Sequence, residues 1–288
     1  MMIDWNILYT MIKNSGSYQM NHDMKGLICK ESFKPVRHEE SIAFAGATKD
    51  RNLPFYQKEG VIPPFYLSKL IFPMIKKILC HKDLRVNLMR VVLAQEEIIW
   101  YDTVKIGERL DISTTISNIY ETDSGEMIEI RLQIFISTRL VIEGTIGFII
   151  RSKKKVAKKK DREEAPGNEL FQLEIQTDKD QQLKFAEVSG DHNFIHTNRF
   201  IAKIAGLPGM IMHGACVLAM ICSAMVEYQL KNDPGKLKSI SGRFSKPVIP
   251  GEQLTLKGYT RKEPNSICFN VINPAGGVVF KNGIFRYK

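Results

Sequence analysis

The stretch that decides the fold lies at residues 185–214 and reads FAEVSGDHNFIHTNRFIAKIAGLPGMIMHG. Asp191 and His196 are five residues apart within it, and Gly190 and Asn193 lie beside them. Five residues along an α-helix would turn two side chains about 140° away from each other. A loop that turns through Gly190 and Asn193 can instead bring the carboxylate and the imidazole to one point. We therefore predict a polar loop between helices.

Asp191 and His196 are the residues we predict to carry chemistry. A carboxylate accepts hydrogen bonds, and a neutral imidazole both donates and accepts them. Together the two groups can hold a water molecule and move protons near neutral pH. Ser189, Gly190 and Asn193 are predicted to support the site, with the Asn193 side chain bonding to the backbone. The alternative is an Asx-type turn whose histidine is merely hydrogen-bonded.

A metal site is a further alternative. His192 and His196 are four residues apart, a spacing that suits zinc on a helix. Gly190 and Asn193 disfavour a helix there, and the HExxH glutamate is missing. We therefore predict no metal.

An apolar run over 210–226, MIMHGACVLAMICSAMV, predicts a buried helix that begins at Gly214. N–H groups at a helix start lack partners and can polarise a carbonyl oxygen that comes close to a glycine. Gly214 could equally just permit a tight turn. Met212 and His213 are predicted to line the site, although His213 could instead cap the helix. The run is shorter than the ~20 residues of a membrane span.

Length and composition indicate a globular protein that is long enough for two domains. The chain has 288 residues, of which 44% are hydrophobic and 25% charged. Its five cysteines show no CxxC spacing, which favours a reducing compartment. The N-terminal sequence does not resemble a secretory signal, because Asp4 and Lys13 interrupt it. We expect a cytoplasmic location.

The net charge of +10 is concentrated at 151–160, RSKKKVAKKK, which holds seven basic residues. The rest of the chain carries 10 − 7 = +3. We interpret the run as a solvated linker that extends to 168, and not as a nucleic-acid site. The alternative is a docking patch for a carrier protein or for the phosphates of coenzyme A.

Apolar residues alternate with polar ones from about residue 84, as in antiparallel strands. The predicted strands are 85–101, 111–122, 127–138, 140–151, 237–244, 253–260, 266–272 and 278–287. A helix is predicted over 67–78, with Pro73 at a kink or at its start.

Two parts of the chain repeat. Phe44, Ala45, Asp50 and Asn52 match Phe185, Ala186, Asp191 and Asn193 at an offset of 141, and Thr48 falls opposite Ser189. Val104, Gly107, Glu108 and Leu110 match Val248, Gly251, Glu252 and Leu254 at an offset of 144. Two sets in the same order indicate a duplicated domain.

The two copies differ at the position of the predicted site histidine. Phe55 follows Asp50 by five residues, where His196 follows Asp191. Only the second copy therefore carries the predicted dyad.

Residues 185–202, FAEVSGDHNFIHTNRFIA, resemble the signature of the MaoC-like, (R)-specific enoyl-CoA hydratase (hydratase 2) family. Phe194 stands where that family usually has proline. The resemblance extends over about 40–150 and 169–288. It implies an α+β double hotdog fold, with two curved antiparallel sheets each wrapped around a long central helix. The implied divisions are an extension at 1–30, a degenerate hotdog domain at 31–150, a basic linker at 151–168 and a catalytic hotdog domain at 169–288.

The resemblance also implies an activity, namely reversible syn hydration of a trans-2-enoyl thioester to an (R)-3-hydroxyacyl thioester. Asp191 and His196 would hold the water, the Gly214 N–H would bind the thioester carbonyl, and Phe55 would line the acyl groove. The substrate would be a thioester of coenzyme A or acyl carrier protein, with no cofactor. The two halves would form a pseudo-dimer, with a homodimer possible and no nucleic-acid partner. A non-catalytic acyl-thioester-binding subunit and a hotdog thioesterase remain alternatives.

Overall fold

The computed structural model describes Lys13, residues 19–152 and residues 167–288. Its α-helices are α1 (His38–Ala47), α2 (Leu53–Glu59), α3 (Leu67–Leu79), α4 (Gln181–Ser189), α5 (Phe194–Thr197), α6 (Arg199–Ile204) and α7 (Gly214–Leu230). Its strands are β1 (Ile28–Phe33), β2 (Val91–Trp100), β3 (Leu110–Thr122), β4 (Gly125–Ile136), β5 (Arg139–Arg151), β6 (Glu169–Gln176), β7 (Leu237–Phe244), β8 (Gln253–Tyr259), β9 (Ser266–Ile272) and β10 (Val278–Tyr287). Short 3-10 helices lie at His22–Met24, Pro64–Tyr66, Leu88–Arg90 and Pro234–Lys236.

The ten strands form one antiparallel sheet in the order β1-β3-β4-β5-β2-β7-β10-β9-β8-β6. The order reads the same from either edge, because β6-β8-β9-β10-β7 repeats β1-β3-β4-β5-β2. The two five-stranded halves meet where β2 pairs with β7, with Ile98 opposite Ile240. The predicted two sheets are therefore joined edge to edge into one.

Each half of the sheet packs against its own helix. Helix α3 contacts β1 and β3, and α7 contacts β6 and β7. The helices are held by alternating strand positions, as on β3, where Leu110, Ile112 and Ile116 are buried. Helix α7 is buried on nearly every side, as its apolar sequence predicts. The predicted α+β double hotdog fold is confirmed.

The duplication is visible in local hydrogen bonds. The Thr48 hydroxyl donates to the Phe44 carbonyl at 3.0 Å, and the Ser189 hydroxyl donates to the Phe185 carbonyl at 2.7 Å. The matched phenylalanines touch each other edge to face, with ring centroids 5.8 Å apart. The two copies therefore face one another across α1 and α4.

A second pair of matched bonds involves the two aspartates. The Asn52 N–H donates to Asp50 Oδ1 at 2.9 Å, and the Asn193 N–H donates to Asp191 Oδ1 at 3.1 Å. Both copies thus keep the same turn, and their difference lies in what the carboxylates face.

The edge strands β1 and β6 were not predicted. Their sequences, ICKESF and ELFQLEIQ, mix charged and apolar residues. An edge strand has a neighbour on one side only, so fewer of its positions need to be apolar. Strand β1 begins at Ile28 and pairs with β3, so residues 28–30 belong to the first sheet and not to the predicted extension at 1–30. Pro73 lies inside α3, not at its start.

The basic run at 151–160 lies outside the described residues except for Arg151 and Ser152, as does most of the predicted linker at 151–168. Among the helices of the described ranges, none has the length and apolar character needed to cross a membrane.

Candidate active site

A tight turn after α4 positions Asp191. Gly190 adopts φ of 77°, a left-handed conformation that ends the helix and suits glycine. The Asp191 N–H then donates to the Ser189 hydroxyl at 3.2 Å, while its Oδ1 accepts the Asn193 N–H. The Asn193 side chain caps α5 by accepting the Ile195 N–H at 3.4 Å. These three hydrogen bonds fix the turn that carries the Asp191 carboxylate.

Phe194 occupies the first position of α5, where the family usually has proline. Proline is favoured at that position because its fixed φ suits a helix start. The Asn193 cap provides the same helix start without the ring.

His196 projects from α5 and is held in one tautomer. Its Nδ1 lies 2.9 Å from the carbonyl oxygen of Ile211, which can only accept, so Nδ1 carries the proton. The Nε2 atom of the neutral ring is therefore left as an acceptor. His213 packs on this ring, with centroids 3.7 Å apart and planes inclined by 28°. Its own Nε2 donates to the Asp191 carbonyl at 2.8 Å.

Asp191, His196 and His213 form one cluster, in which a polar side-chain atom of each lies within 4.8 Å of the others. The histidines are buried, whereas 21% of the Asp191 side chain is exposed. Desolvation raises the pKa of Asp191 above its usual range. Desolvation, with a smaller effect of His213, lowers the pKa of His196 to about 3, and desolvation lowers the pKa of His213 to about 4. Both imidazoles are therefore neutral near pH 7.

The cluster has metal-ligating residue types, but its geometry suits proton transfer better. Zinc lies close to the plane of a ligating imidazole, at about 2.0–2.1 Å from the nitrogen. Rings stacked at 3.7 Å direct their lone pairs along nearly parallel planes, which do not converge on one ion. His192, the partner in the zinc alternative, is not part of the cluster.

A cavity of about 360 Å³ opens onto the cluster. Its wall is largely apolar and comes from both halves of the chain, and the first half contributes residues of α3, β2 and β5. Representative lining residues are Ile71, Phe72, Ile75, Leu79, Leu93, Phe148, Val217 and Phe244. The dyad thus lies on the wall of a cavity whose apolar lining favours an apolar ligand.

The structure brings most of the predicted site residues to this cavity. Ser189, Asp191, Asn193, His196, Met212, His213 and Gly214 line it. Gly214 begins α7, and a Cβ there would lie 2.7 Å from Leu93 Cδ2. Gly190 contributes only the turn. Phe55 does not line the cavity but lies half-buried on α2, so the predicted lining role is not supported by its position.

Sequence reasoning missed Glu96 on β2. This side chain is 5% exposed and lines the cavity, and desolvation raises its pKa to about 8. The available signal was an acidic residue at an inward position of an alternating strand, where an apolar one is usual.

The matching aspartate of the first copy has a different environment. Asp50 accepts hydrogen bonds from the Ser223 hydroxyl at 2.8 Å and from the Tyr56 hydroxyl at 2.9 Å, besides those from Asn52. Burial raises the pKa of Asp50, and these bonds oppose that rise. Because Ser223 lies on α7, the carboxylate links the two halves of the chain instead of facing a cavity.

We expect acid to destabilise the protein through the two buried histidines. The unfolded chain binds protons at histidine below about pH 6.5, whereas folded His196 and His213 stay neutral to about pH 4. The free energy of unfolding should therefore fall from pH 6.5 toward pH 4, by up to about 1.4 kcal/mol per pH unit for each histidine. The raised pKa of Asp191 acts in the opposite direction.

Urea unfolding at several pH values measures this slope. A His196→Gln/His213→Gln variant should flatten it, whereas His38→Gln, at an exposed histidine, should not. Equal slopes in both variants would contradict the assignment of the two rings as buried and neutral.

Comparison with known proteins supports a common origin for the second half. Residues 161–279 match the model of the MaoC like domain. A peroxisomal enoyl-CoA hydratase 2 from Arabidopsis thaliana is 41% identical over 85 residues, or 30% of this chain and 27% of the relative. A probable enoyl-CoA hydratase 2 from Dictyostelium discoideum is 33% identical over 109 residues, or 38% of this chain and 37% of the relative. The matches thus span well under half of each relative.

The fold extends the likeness to the whole chain. A MaoC-like dehydratase from Phytophthora capsici superposes with a TM-score of 0.78 at 20% identity, covering 93% of this chain and 98% of the other. At that identity the likeness concerns the fold, including the first half that the domain model leaves out. Residues 161–279 are therefore similar to a MaoC like domain, within a chain that has a double hotdog fold.

Proposed function

We propose that the protein is a hydro-lyase that interconverts trans-2-enoyl and (R)-3-hydroxyacyl thioesters. One observation carries the proposal. The Asp191–His196 pair and the start of α7 at Gly214 lie on the wall of the same apolar cavity. A proton-transfer pair and a donor for a carbonyl oxygen are the two parts that hydration of a conjugated thioester needs.

The residues divide the reaction between them. Asp191 and the free Nε2 of His196 accept hydrogen bonds from one water and direct its oxygen at the β-carbon. A C–O bond forms there as an O–H bond of the water breaks, and the dyad passes a proton to the α-carbon, where a C–H bond forms. Between these events the thioester oxygen gains negative charge, which the Gly214 N–H stabilises. Dehydration is the reverse sequence.

Other features support a thioester with an apolar chain. The lining from α3 and β2 is mainly aliphatic and aromatic, so it favours an acyl chain. The names of the plant and Dictyostelium relatives fit the same reaction. We expect the product of this chain to have the (R) configuration. The proposed chemistry uses the side chains and the bound water, with no cofactor.

A hydration assay with trans-2-enoyl-CoA substrates of increasing chain length tests the proposal. We expect loss of the conjugated enoyl absorbance and formation of the (R)-3-hydroxyacyl product, as resolved by chiral chromatography. Saturated acyl-CoA of equal length is the control, which should inhibit without turnover. Release of free thiol without hydration would select the thioesterase alternative, and binding without turnover would select the accessory subunit.

We further propose a cytoplasmic location and a single chain as the active unit. The cytoplasmic location rests on the sequence alone, and the plant relative is peroxisomal by name. Fractionation of cells expressing the tagged protein would distinguish the two compartments. The intrachain pseudo-dimer supplies both walls of the cavity, so we propose that activity does not require a homodimer.

A further inference from the structure

Helix α6 presents two large apolar side chains to solvent. Phe200 is 72% exposed and Ile204 is 62% exposed. They are four residues apart and so lie on one face of the helix. Arg199 and Lys203 are exposed beside them, and neither pairs with an acid among the described residues. We call these four residues the α6 surface.

The α6 surface adjoins residues that line the cavity. The carbonyl of Ala205, the residue after α6, accepts a hydrogen bond from the Arg151 guanidinium at 3.0 Å. Arg151 lines the cavity, as do Leu207, two residues further on, and the exposed Lys246. Charged side chains with access to solvent mark the open end of an otherwise apolar cavity. A partner bound to α6 would therefore lie next to the entrance of the cavity.

Basic side chains predominate near this end of the cavity. The chain has no acidic residue between Asp191 and Glu227. Among the described residues, the carboxylates that line the cavity are Asp191 and the buried Glu96, while Arg151, Lys246 and Lys76 supply cations along its wall. The surface thus combines an apolar pair with cations, and it should attract a partner with an apolar patch bordered by acids.

We propose that the α6 surface docks an acidic acyl carrier protein, which presents its enoyl thioester to the cavity on a phosphopantetheine arm. This inference rests on the proposed function and names the form of its substrate. Free coenzyme A could bind cations through its phosphates, but its binding would not explain the exposed Phe200–Ile204 pair. An anionic membrane would match both features, but a bilayer seated on α6 would cover the entrance through which the polar head of the thioester must leave.

The test compares one enoyl group on two carriers. Hydration of crotonyl groups is measured on a small acidic bacterial acyl carrier protein and on coenzyme A. Phe200→Ser/Ile204→Ser and Arg199→Glu/Lys203→Glu should each lower kcat/KM about tenfold or more for the carrier-protein substrate, mainly through KM. Both variants should keep the kcat/KM for crotonyl-CoA close to that of the unchanged protein. Ile28→Ser, at a 54%-exposed residue of edge strand β1, is the matched control and should affect neither substrate.

The outcomes separate this inference from the proposed function. If neither substrate is hydrated, the proposed function fails. If crotonyl-CoA is hydrated but the α6 variants treat both substrates alike, the docking surface is wrong. Sedimentation of the unchanged protein with vesicles containing phosphatidylserine, lost in Phe200→Ser/Ile204→Ser, would overturn the carrier protein in favour of a membrane.

Discussion

Asp191→Asn should lower kcat for hydration of crotonyl-CoA by about 10²–10⁴-fold, the usual contribution of a general acid or base. The amide oxygen can still accept the Asn193 N–H, so the turn after α4 should persist. The amide cannot exchange a proton with water as the carboxylate does. His196→Gln should have an effect of similar size, because it removes the Nε2 acceptor.

The duplicated chain supplies a matched control for this experiment. Asp50→Asn makes the same change at the equivalent carboxylate of the first copy, which bonds to Ser223 and Tyr56 and does not line the cavity. We expect this variant to hydrate crotonyl-CoA nearly as well as the unchanged protein. Equal losses in the two aspartate variants, or full activity of Asp191→Asn with native circular dichroism, would contradict the dyad.

Gly214→Pro should lower kcat by about 10²–10³-fold, the cost of removing one donor to a developing oxyanion. Proline deletes the N–H at the first helical position, where it is otherwise well tolerated. The preceding residue, His213, already has ψ of 133°, the extended conformation that a following proline requires. Helix α7 should therefore form normally without this donor.

Gly214→Ala is the control for the added side-chain atoms. Its Cβ meets Leu93 Cδ2 at 2.7 Å and Phe244 at 3.3 Å, as the proline Cβ would, but the N–H remains. The kcat of Gly214→Ala should exceed that of Gly214→Pro by about tenfold or more. Equal activities would mean that the space beside Leu93, and not the N–H, explains the glycine.

The sequence predicted the central strands and the helix at 214 because burial on one face leaves a regular pattern. It predicted the second-copy strands almost to the residue, as with β7 at 237–244 and β9 at 266–272. Edge strands β1 and β6 leave weaker patterns, since half of their surroundings is solvent. The joining of the halves was also not predicted, because the pairing of β2 with β7 links residues more than a hundred positions apart.

The loop that carries Asp191 could be predicted from local sequence preferences, whereas the side chains around the carboxylate could not. Gly190 and Asn193 make the turn through their own backbone preferences. The stacking of His213 on His196 and the approach of Glu96 depend on packing between distant segments. Phe55 shows the limit of reasoning by sequence offset, because the matching position in the first copy points to a different environment.

The edge-to-edge joining of the halves has an evolutionary consequence. In a dimer of identical chains, every substitution appears at both symmetric sites, so neither can be lost without the other. Here the two halves have separate sequences within one chain, and the pairing of β2 with β7 holds them together. The first copy could therefore lose its own site, gain the hydrogen bond between Asp50 and Ser223, and use α3 to line the cavity of the second copy. These changes would leave selection on Asp191 and His196 unaffected.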